Sequence, residues 1–332
     1  MKLLVVGDLH FKEIYPYAEK FEDRRLDERQ AIEDAIVEAA KGCAAVVLMG
    51  DVFDSRQNSY KTVQAVTSFI ERFENRKVFI MAGNHENSAD GTSALDYLKE
   101  ISDKTWHVIS GEVVGIDGLC FVPYFRRSQY GVETDQEVVE RVLDDIGTGH
   151  AAIFIHHAIG GSRTVSGQMT DLFHEPVFSL DELQKRASKK IFGSHIHYPQ
   201  QLNENAFVLG SVMNFDIGEI DDKRVIQWDT ETDKIKSIPL PGRKFAKLVN
   251  PTKKELEAIK DFPGLVRIIT DKPIEVPAGF SEAVSIMETP KESRKKIVMV
   301  DDFSIENLLT YYAKARNINL EALLAGYHLI NK

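Results

Sequence analysis

Five short clusters in the first 200 residues carry side chains that bind metal ions or move protons. Each follows an apolar run, the pattern of a buried strand that opens into a loop. The third cluster is Gly83-Asn84-His85-Glu86, after the run Val78-Phe79-Ile80-Met81. Asn84 offers a neutral oxygen ligand, and His85 carries an imidazole, the side chain that changes charge near neutral pH. Together the clusters supply seven candidate metal ligands: Asp8, His10, Asp51, Asn84, His156, His195 and His197.

The spacing of these residues lets them share one site. Side chains two residues apart lie on the same side of an extended segment, so Asp8 and His10 can reach one point, as can His195 and His197. The carboxyl ends of strands in one sheet also meet at a common edge. Nitrogen and oxygen ligands without a thiolate suit two Mn²⁺ ions, or Mg²⁺, Fe²⁺ or Zn²⁺, about 3.5–4 Å apart.

Two metal ions without a nucleophilic Ser or Cys favour hydrolysis by a metal-bound hydroxide, with both ions holding the oxygens of a phosphoryl group. The leaving oxygen needs a proton or a positive neighbour, and we assign that catalytic role to His85, adjacent to Asn84. We expect Asp51 to bridge the ions, because the other ligands divide into sets on either side of it. Asp54 and Glu86 are interpreted as groups that orient ligands, or as caps, rather than as ligands.

The elements that must position these residues alternate between strand and helix. Apolar runs predict strands at residues 2–7, 44–49 and 78–81, and apolar stripes predict helices at residues 25–40 and 59–74. Such alternation predicts an α/β fold whose parallel sheet has both faces covered. Further predicted strands lie near residues 107–109, 119–122, 151–155, 207–209, 225–228 and 235–238, with a helix at 137–145. The Gly/Ser/Thr-rich stretch 160–170 has no regular pattern and is a candidate gate for the site.

Composition and charge exclude several classes of protein. No apolar stretch reaches the roughly 20 residues of a membrane helix, so no membrane attachment is expected. Cys43 and Cys120 are predicted to be buried free thiols of a cytoplasmic protein. Residues 1–240 carry 26 Lys/Arg and 39 Asp/Glu, whereas residues 241–332 carry 15 and 12. The formal net charge of −10 argues against a simple basic nucleic-acid binder. It divides into −13 and +3, however, and bound cations would cancel part of the first, so the sign of the whole chain decides little about the substrate.

The five clusters resemble the five motifs of the calcineurin-like metallophosphoesterases. The matching segments are Asp8-Leu9-His10, Gly50-Asp51-Val52-Phe53-Asp54, Gly83-Asn84-His85-Glu86, His156 and Gly193-Ser194-His195-Ile196-His197. The resemblance spans residues 1–200 and implies a four-layer α/β sandwich. The fourth motif has one ligand histidine. His156, directly after its strand, matches better than His157, which is kept as the alternative.

Within that superfamily the chain resembles the SbcD nucleases and their phage and eukaryotic Mre-type relatives. The segments that carry this resemblance are Arg25 and Asp27, Gly50 to Ser55 with Asn58-Ser59, and Leu209-Gly210-Ser211 followed by Phe215-Asp216-Ile217-Gly218-Glu219 and Lys223-Arg224. Leu209 departs from the family, which has Pro there. The resemblance implies two Mn²⁺ ions, exonuclease and endonuclease cleavage of DNA at double-strand ends, homodimerisation and an SbcC-type ATPase partner. The chain lacks a Gly-x-x-x-x-Gly-Lys-Ser/Thr loop, so it cannot supply the ATPase itself.

The chain is predicted to divide into three parts. These are a metallophosphoesterase (nuclease) domain at 1–240, a small α+β capping and DNA-binding domain at 241–300, and a helical partner-binding segment at 301–332. Pro239, Pro241 and Gly242 mark the first boundary. The last segment carries two apolar stripes, which either pack on the capping domain or bind the ATPase: Ile305, Leu308, Leu309, Tyr312 and Ala315, then Leu320, Leu323, Leu324, Tyr327 and Leu329.

Basic side chains near the motifs are candidate contacts for DNA phosphates: Arg56, Lys61, Arg126 and Arg127. Two other functions remain open. A phosphodiesterase acting on cyclic nucleotides or other small phosphodiesters would share all five motifs, and a binding module would carry an inactive metal site. A nuclease assay with Mn²⁺ on linear duplex DNA and on small diesters separates the three.

Overall fold

Two large mixed sheets, one three-stranded sheet and one two-stranded sheet organise the chain. The computed structural model describes residues 1–101, 105–216, 218–262, 264–275 and, for the backbone alone, 283–288. In chain order the strands are β1 (Lys2–Val6), β2 (Ala45–Leu48), β3 (Lys77–Met81), β4 (Trp106–Ile109), β5 (Val114–Ile116), β6 (Leu119–Val122), β7 (His150–Ile155), β8 (Ala158–Ile159), β9 (Val177–Phe178), β10 (Ala187–Gly193), β11 (Gln200–Asn203), β12 (Ala206–Val208), β13 (Arg224–Asp229), β14 (Ile235–Pro239), β15 (Phe245–Val249), β16 (Leu265–Thr270) and β17 (Ala283–Glu288). The α-helices are α1 (Leu26–Ala39), α2 (Tyr60–Glu71), α3 (Asp96–Ile101), α4 (Arg127–Tyr130), α5 (Asp135–Ile146), α6 (Leu180–Gln184) and α7 (Lys253–Ile259).

The first large sheet has the strand order β14-β13-β1-β2-β3-β4, with β1 to β4 parallel. Its central strands are continuous apolar runs because both faces are covered. One face packs on α1 and α2, where Ile36 and Phe69 are buried. Ser59 begins α2 as predicted, since its hydroxyl accepts a hydrogen bond from the Thr62 N–H.

The second large sheet has the order β11-β12-β10-β7-β6-β5. It packs on the first sheet through a row of stacked rings, with centroids 5.1 Å apart between Phe121 and Phe154 and 5.2 Å between Phe154 and Phe192. Its outer face packs on α5, where Val138 and Val142 are fully buried. The layers are therefore helix, sheet, sheet, helix, and the predicted four-layer α/β sandwich is confirmed.

A third sheet of parallel strands β15, β16 and β17 follows residue 240, and α7 connects its first two strands. Leu256 of α7 packs on Val266 and Ile268, so this helix covers one face of the sheet. These elements agree with the short strands and helix expected after the Pro/Gly stretch, while the boundaries at 240 and 300 stay predictions. The segment 301–332, with its two apolar stripes, lies outside the described residues.

The stretch 160–170 is more regular than its sequence suggested. An isolated bridge joins Arg163 to Met169, and the buried hydroxyls of Ser162 and Thr170 lie 3.0 Å apart. Side-chain hydroxyls here satisfy local backbone groups, which holds the loop without an apolar pattern to predict it.

Cys43 and Cys120 are buried and unpaired, as expected. Within the ranges given above, the chain has no helix of the length and apolar character needed to cross a bilayer.

Candidate metal centre

The loops that follow β1, β2, β3, β7 and β10 meet at one edge of the sandwich. Glycines allow this approach: a Cβ on Gly83 would lie 2.1 Å from Asp51 Oδ1 and 2.7 Å from His156 Nε2. The Ser194 hydroxyl donates to the Met49 carbonyl at 2.6 Å, which joins the two sheets at this edge. The structure thus brings all seven predicted ligands together.

Three of these ligands have a backbone conformation that is uncommon for residues other than glycine. The φ angles of His10, Asp51 and His195 are 47°, 44° and 77°. Such conformations cost on the order of 1–3 kcal/mol each and persist where the surrounding structure determines them. Here the strained loops direct the three side chains into the centre.

Four residues form one group, which we call the Asn84 set: Asp51, Asn84, His156 and His195. His156 Nε2 lies 3.3 Å from Asn84 Oδ1 and 3.4 Å from Asp51 Oδ2. His195 Nδ1 lies 2.9 Å from Asn84 Oδ1. Two ring nitrogens, an amide oxygen and a carboxylate oxygen therefore surround one point.

The second group, the Asp8 set, consists of Asp8, His10, Asp51 and His197. His10 Nε2 lies 2.9 Å from His197 Nε2 and 3.8 Å from Asp51 Oδ2. Asp8 is fully buried, and its Oδ2 has no hydrogen-bond partner. A buried carboxylate oxygen without a partner is costly unless a cation satisfies it.

Each ligand histidine has one ring nitrogen that points away from the centre, and the partner of that nitrogen shows whether the two sets fit metal ions. Metal-binding histidines usually donate their second ring N–H to an acceptor, which leaves the other nitrogen free to coordinate. Three of the four histidines follow this rule: His156 Nδ1 lies 2.7 Å from Met49 O, His195 Nε2 2.9 Å from Glu175 Oε1, and His197 Nδ1 2.9 Å from Glu219 Oε1. The outward Nδ1 of His10 lies 3.3 Å from Asp54 Oδ1 but makes no hydrogen bond. The residues therefore fit two divalent cations that share Asp51.

The pKa shifts at the centre also favour the binding of cations. Burial acts to raise the pKa of Asp51, but His156 and His10 hold it well below its usual range. Burial acts to lower the pKa of His156, yet the Asp51 carboxylate raises it to about 9. In the metal-free chain a proton on His156 thus balances Asp51, and a bound cation would take the place of that proton.

His85 differs from the ligand histidines in its exposure and contacts. Its backbone N–H donates to Asp51 Oδ1 at 3.0 Å, and its Nδ1 donates to the Asp54 carbonyl at 2.7 Å. Its Nε2 lies 4.0 Å from Asp51 Oδ2, and its side chain is 38% exposed, against 2% for His10. His85 is close enough to His10 and Asp51 to complete a ligand group. Its exposed position at the rim instead favours the predicted role, in which His85 gives a proton or a hydrogen bond to the leaving oxygen.

His157 has a structural role. It is buried, its Nε2 accepts the Phe125 N–H at 3.0 Å, and its ring stacks on Tyr124 with centroids 4.6 Å apart. Between the two neighbouring histidines the geometry favours His156 as the ligand. Adjacent residues of an extended segment point to opposite sides, which is why only one of them reaches the centre.

The groups that orient the ligands were only partly visible in the sequence. Buried Glu86 accepts the N–H groups of Phe53 at 2.7 Å and Gly83 at 2.8 Å, so it holds together the two loops that carry Asp51 and Asn84. Glu219 accepts a hydrogen bond from Lys223 Nζ at 2.6 Å. The sequence analysis placed Glu219 and Lys223 in a segment that resembles the SbcD nucleases, but it assigned them no role. Glu175 was missed, because no apolar run or spacing marks it.

The candidate phosphate contacts lie at different distances from the centre. Arg126 Nη2 donates to the Asn84 carbonyl at 3.0 Å, so its guanidinium lies at the rim. Arg127 Nε lies 3.3 Å from Asp135 Oδ1 at the start of α5. Arg56 and Lys61 line two other cavities, of about 650 Å³ and 430 Å³. Contact of any of the four with DNA stays a prediction.

The family profile described as calcineurin-like phosphoesterase matches residues 1–199. The chain belongs to the calcineurin-like phosphoesterase family. It is therefore a metal-dependent hydrolase of a family that uses a dinuclear metal centre. Two overlapping groups at this edge, His10/Asp51/His85 and Asp51/His156/His195, have the spacing to hold metal ions.

Two solved structures are similar to this phosphoesterase. One is described as a novel archaeal phosphodiesterase, with 13% identity and a TM-score of 0.35, and the match covers 72% of this chain and 100% of that chain. The other is a Thermus thermophilus protein with 9% identity and a TM-score of 0.39, covering 72% and 98%. No curated protein matches the chain.

Glu175→Ala is expected to weaken Mn²⁺ binding at the Asn84 set by about 10–100-fold, since the His195 ring loses the acceptor that orients it. Glu175→Gln keeps an acceptor oxygen and should retain most of the affinity. Calorimetric titration with Mn²⁺ measures both, with Glu204→Ala, an exposed turn carboxylate, as the control. Equal Mn²⁺ affinity in wild type and Glu175→Ala would show that the contact does not support the metal.

Proposed function

We propose that the protein is a Mn²⁺-dependent DNA nuclease of the SbcD type, with exonuclease and endonuclease activity at double-strand ends. The pair of ligand sets sharing Asp51, with His85 at the solvent side, supports hydrolysis of a phosphodiester. The resemblance of the motif-flanking segments to the SbcD nucleases supports DNA as its substrate. When bound, the two cations would activate a water and hold the attacking and leaving oxygens of a phosphodiester. A mixed imidazole, carboxylate and amide set suits Mn²⁺, while Mg²⁺, Fe²⁺ and Zn²⁺ are the alternatives.

The chain's own residues divide the remaining work. His85 Nε2 faces the rim, where it would donate a proton or a hydrogen bond to the leaving oxygen. The Asp54 carbonyl fixes the orientation of that ring. Arg126, held beside the metal ligand Asn84, would pair with a phosphate oxygen of the substrate.

The test is hydrolysis of linear duplex DNA, single-stranded DNA and a small diester with Mn²⁺. Cleavage of DNA that is abolished by chelation and restored by Mn²⁺ supports the nuclease. Hydrolysis of the small diester with no cleavage of DNA contradicts it.

The alternative is a phosphodiesterase for cyclic nucleotides or other small phosphodiesters. A cavity of about 770 Å³ beside His195 and His197 favours it, since pockets for small ligands are typically of about 300–1,000 Å³. The positions of His85 and Arg126 are compatible with DNA and with a small phosphodiester.

Salt dependence separates these two substrates. A nuclease that reads the DNA backbone should bind duplex DNA with an affinity that falls steeply as salt rises. Arg126→Ala should reduce the slope of log affinity against log salt by about 1. Fluorescence anisotropy without divalent cations measures the slope while cleavage is prevented.

The matched control for Arg126 is Arg72→Ala. Arg72 follows α2 and pairs with Asp34, at the edge of the sheet opposite to the metal centre. A flat salt dependence in the wild type would favour the small-diester function. If both variants reduced the slope of log affinity against log salt equally, Arg126 would not be a specific contact for DNA.

Homodimerisation and binding of an SbcC-type ATPase belong to the same proposal, as does a cytoplasmic location. They rest on the resemblance of the motif-flanking segments to the SbcD nucleases. Light scattering of the purified chain and co-purification with such an ATPase test these two interactions, and a monomer that binds no ATPase contradicts both.

A further inference from the structure

A buried ammonium group, that of Lys223, lies directly behind the Asp8 set. Lys223 is 3% exposed, and its Nζ donates to the His197 carbonyl at 3.0 Å, to the Ser211 hydroxyl at 2.9 Å and to Glu219 Oε2 at 2.6 Å. An ammonium has three N–H donors, so these three acceptors use all of them. A buried charge is costly unless it is paired and hydrogen-bonded, and here the partners are a predicted metal ligand and the groups around it.

Two of the three bonds hold His197, one at its backbone and one through its ring. The His197 carbonyl accepts from Lys223 Nζ directly, whereas Glu219 pairs with Lys223 through Oε2 and with His197 Nδ1 through Oε1, at 2.9 Å. The Glu219 carboxylate therefore cannot turn away from the ring without losing its ion pair with Lys223. This arrangement directs His197 Nε2 to the point where His10 Nε2 lies 2.9 Å away.

The third bond of Lys223 reaches the segment that supports Asp8. Ser211 precedes Val212, whose N–H donates to the Asp8 carbonyl at 3.0 Å. This segment packs closely on the first motif, because a Cβ on Gly7 would collide with the carbonyl oxygen of Gly210. One lysine thus supports the backbone at Asp8 as well as the ring of His197, and both residues belong to the Asp8 set.

The lysine itself is fixed by the first large sheet. It directly precedes β13, which pairs with β1, and its carbonyl accepts the Leu240 N–H at 2.9 Å. His197 follows β10 of the second large sheet. The bonds from Lys223 to His197 and Glu219 therefore set the position of a ligand on one sheet relative to the other sheet, which carries Asp8 and His10 after β1.

This support matters more for the Asp8 set than for the Asn84 set. Both histidines of the Asn84 set, His156 and His195, have hydrogen-bonded outward nitrogens. In the Asp8 set the outward nitrogen of His10 has no hydrogen-bond partner among the described residues. The orientation of His197 therefore decides whether the Asp8 set is complete.

We propose that Lys223 is a positioning residue for the Asp8 set. By holding the His197 carbonyl and the Glu219 carboxylate together, it keeps the imidazole aimed at the cation that this set would bind, and it contacts neither that cation nor the substrate. The inference goes beyond the proposed nuclease function, because it concerns metal binding and is independent of which phosphodiester is hydrolysed. A chain that binds two Mn²⁺ ions and cleaves no DNA would contradict the nuclease alone.

The test uses Lys223→Met, which removes the ammonium and retains an apolar stem. Calorimetric titration of the full chain with Mn²⁺ should show one ion bound as in wild type and the second bound about 10–100-fold more weakly, since His197 loses the group that fixes its acceptor. Electron paramagnetic resonance gives a second readout, because two Mn²⁺ ions about 3.5–4 Å apart are magnetically coupled. At a Mn²⁺ concentration that just fills both wild-type sites, the variant should give the spectrum of an isolated ion.

The double variant E219Q/K223M tests the route through Glu219. The amide still offers an oxygen to His197 Nδ1, and no buried charge is left unpaired, so the second ion should bind more tightly than in Lys223→Met and less tightly than in wild type. This variant remains informative if Lys223→Met does not fold, because wild-type affinity in it would also contradict the proposal.

The matched control is Lys190→Met. Lys190 is a buried lysine of β10 that donates to Asn205 Oδ1 at 2.7 Å and to Asp233 Oδ2 at 2.6 Å, and these two residues belong to neither ligand set. The control also removes a buried ion pair, so its melting temperature should fall. It should nevertheless bind both Mn²⁺ ions with wild-type affinity.

Several results would overturn the positioning role. Unchanged Mn²⁺ binding in Lys223→Met is one, and an equal loss of affinity at both sites, which indicates a general loosening of the fold, is another. Tighter binding of the second ion would show that the lysine acts on the cations mainly by charge repulsion. A double variant no better than Lys223→Met would exclude the route through Glu219, and a wild type that binds a single Mn²⁺ would remove the Asp8 set as a separate site.

Discussion

Asp51→Ala is expected to lose both metal ions and nearly all hydrolytic activity. Asp51 Oδ2 lies 3.8 Å from His10 Nε2 and 3.4 Å from His156 Nε2, so this one oxygen faces both ligand sets. Its other oxygen accepts the His85 N–H at 3.0 Å, which fixes the carboxylate. Because neither set is complete without Asp51, activity should fall further than the roughly 10⁴-fold upper range for one catalytic acid.

Elemental analysis after gel filtration measures the metal content of the Asp51 variants. Asp51→Asn provides a second variant of nearly the same shape, which separates loss of charge from loss of packing. Asp117→Ala, an exposed turn carboxylate, is the control and should keep the wild-type metal content. Two metals retained per chain in Asp51→Ala would exclude the bridging role.

Much of this centre follows from local sequence patterns. A buried strand is a short apolar run, and a ligand that directly follows it must lie at the edge of the sheet, as Asp51 and His156 do. Alternation along the backbone then decides which of two neighbouring histidines points inward. Both rules act within a few residues, so the sequence alone is enough to apply them.

The parts that sequence could not supply depend on contacts between distant segments. Glu175 reaches His195 from a loop held by the hydroxyls of Ser162 and Thr170, and no periodicity marks that loop. Lys247 and Arg267 likewise become neighbours only because β15 and β16 pair in register. In the sequence these two cations are separate and look like ordinary surface residues.

His85→Ala should keep both metal ions, while its kcat on DNA falls by about 10²–10⁴-fold, the usual contribution of a positioned proton donor. His85 Nδ1 is engaged by the Asp54 carbonyl, so Nε2 is the nitrogen that faces the leaving oxygen. A nitrophenolate leaving group needs no proton, and bis(p-nitrophenyl) phosphate should therefore lose much less activity than DNA. Steady-state kinetics on both substrates, with elemental analysis, measure the effect.

The matched control for His85 lies at the other end of a strand that reaches the centre. His150 begins β7, whose six residues extend about 20 Å to the loop that carries His156. His150→Ala should retain kcat on both substrates and the full metal content. Loss of one metal from His85→Ala would show that it is a ligand, as its distance to His10 and Asp51 would permit. An equal loss of kcat on DNA and on the nitrophenyl diester would exclude proton donation to the leaving group, because only one of the two reactions requires that proton.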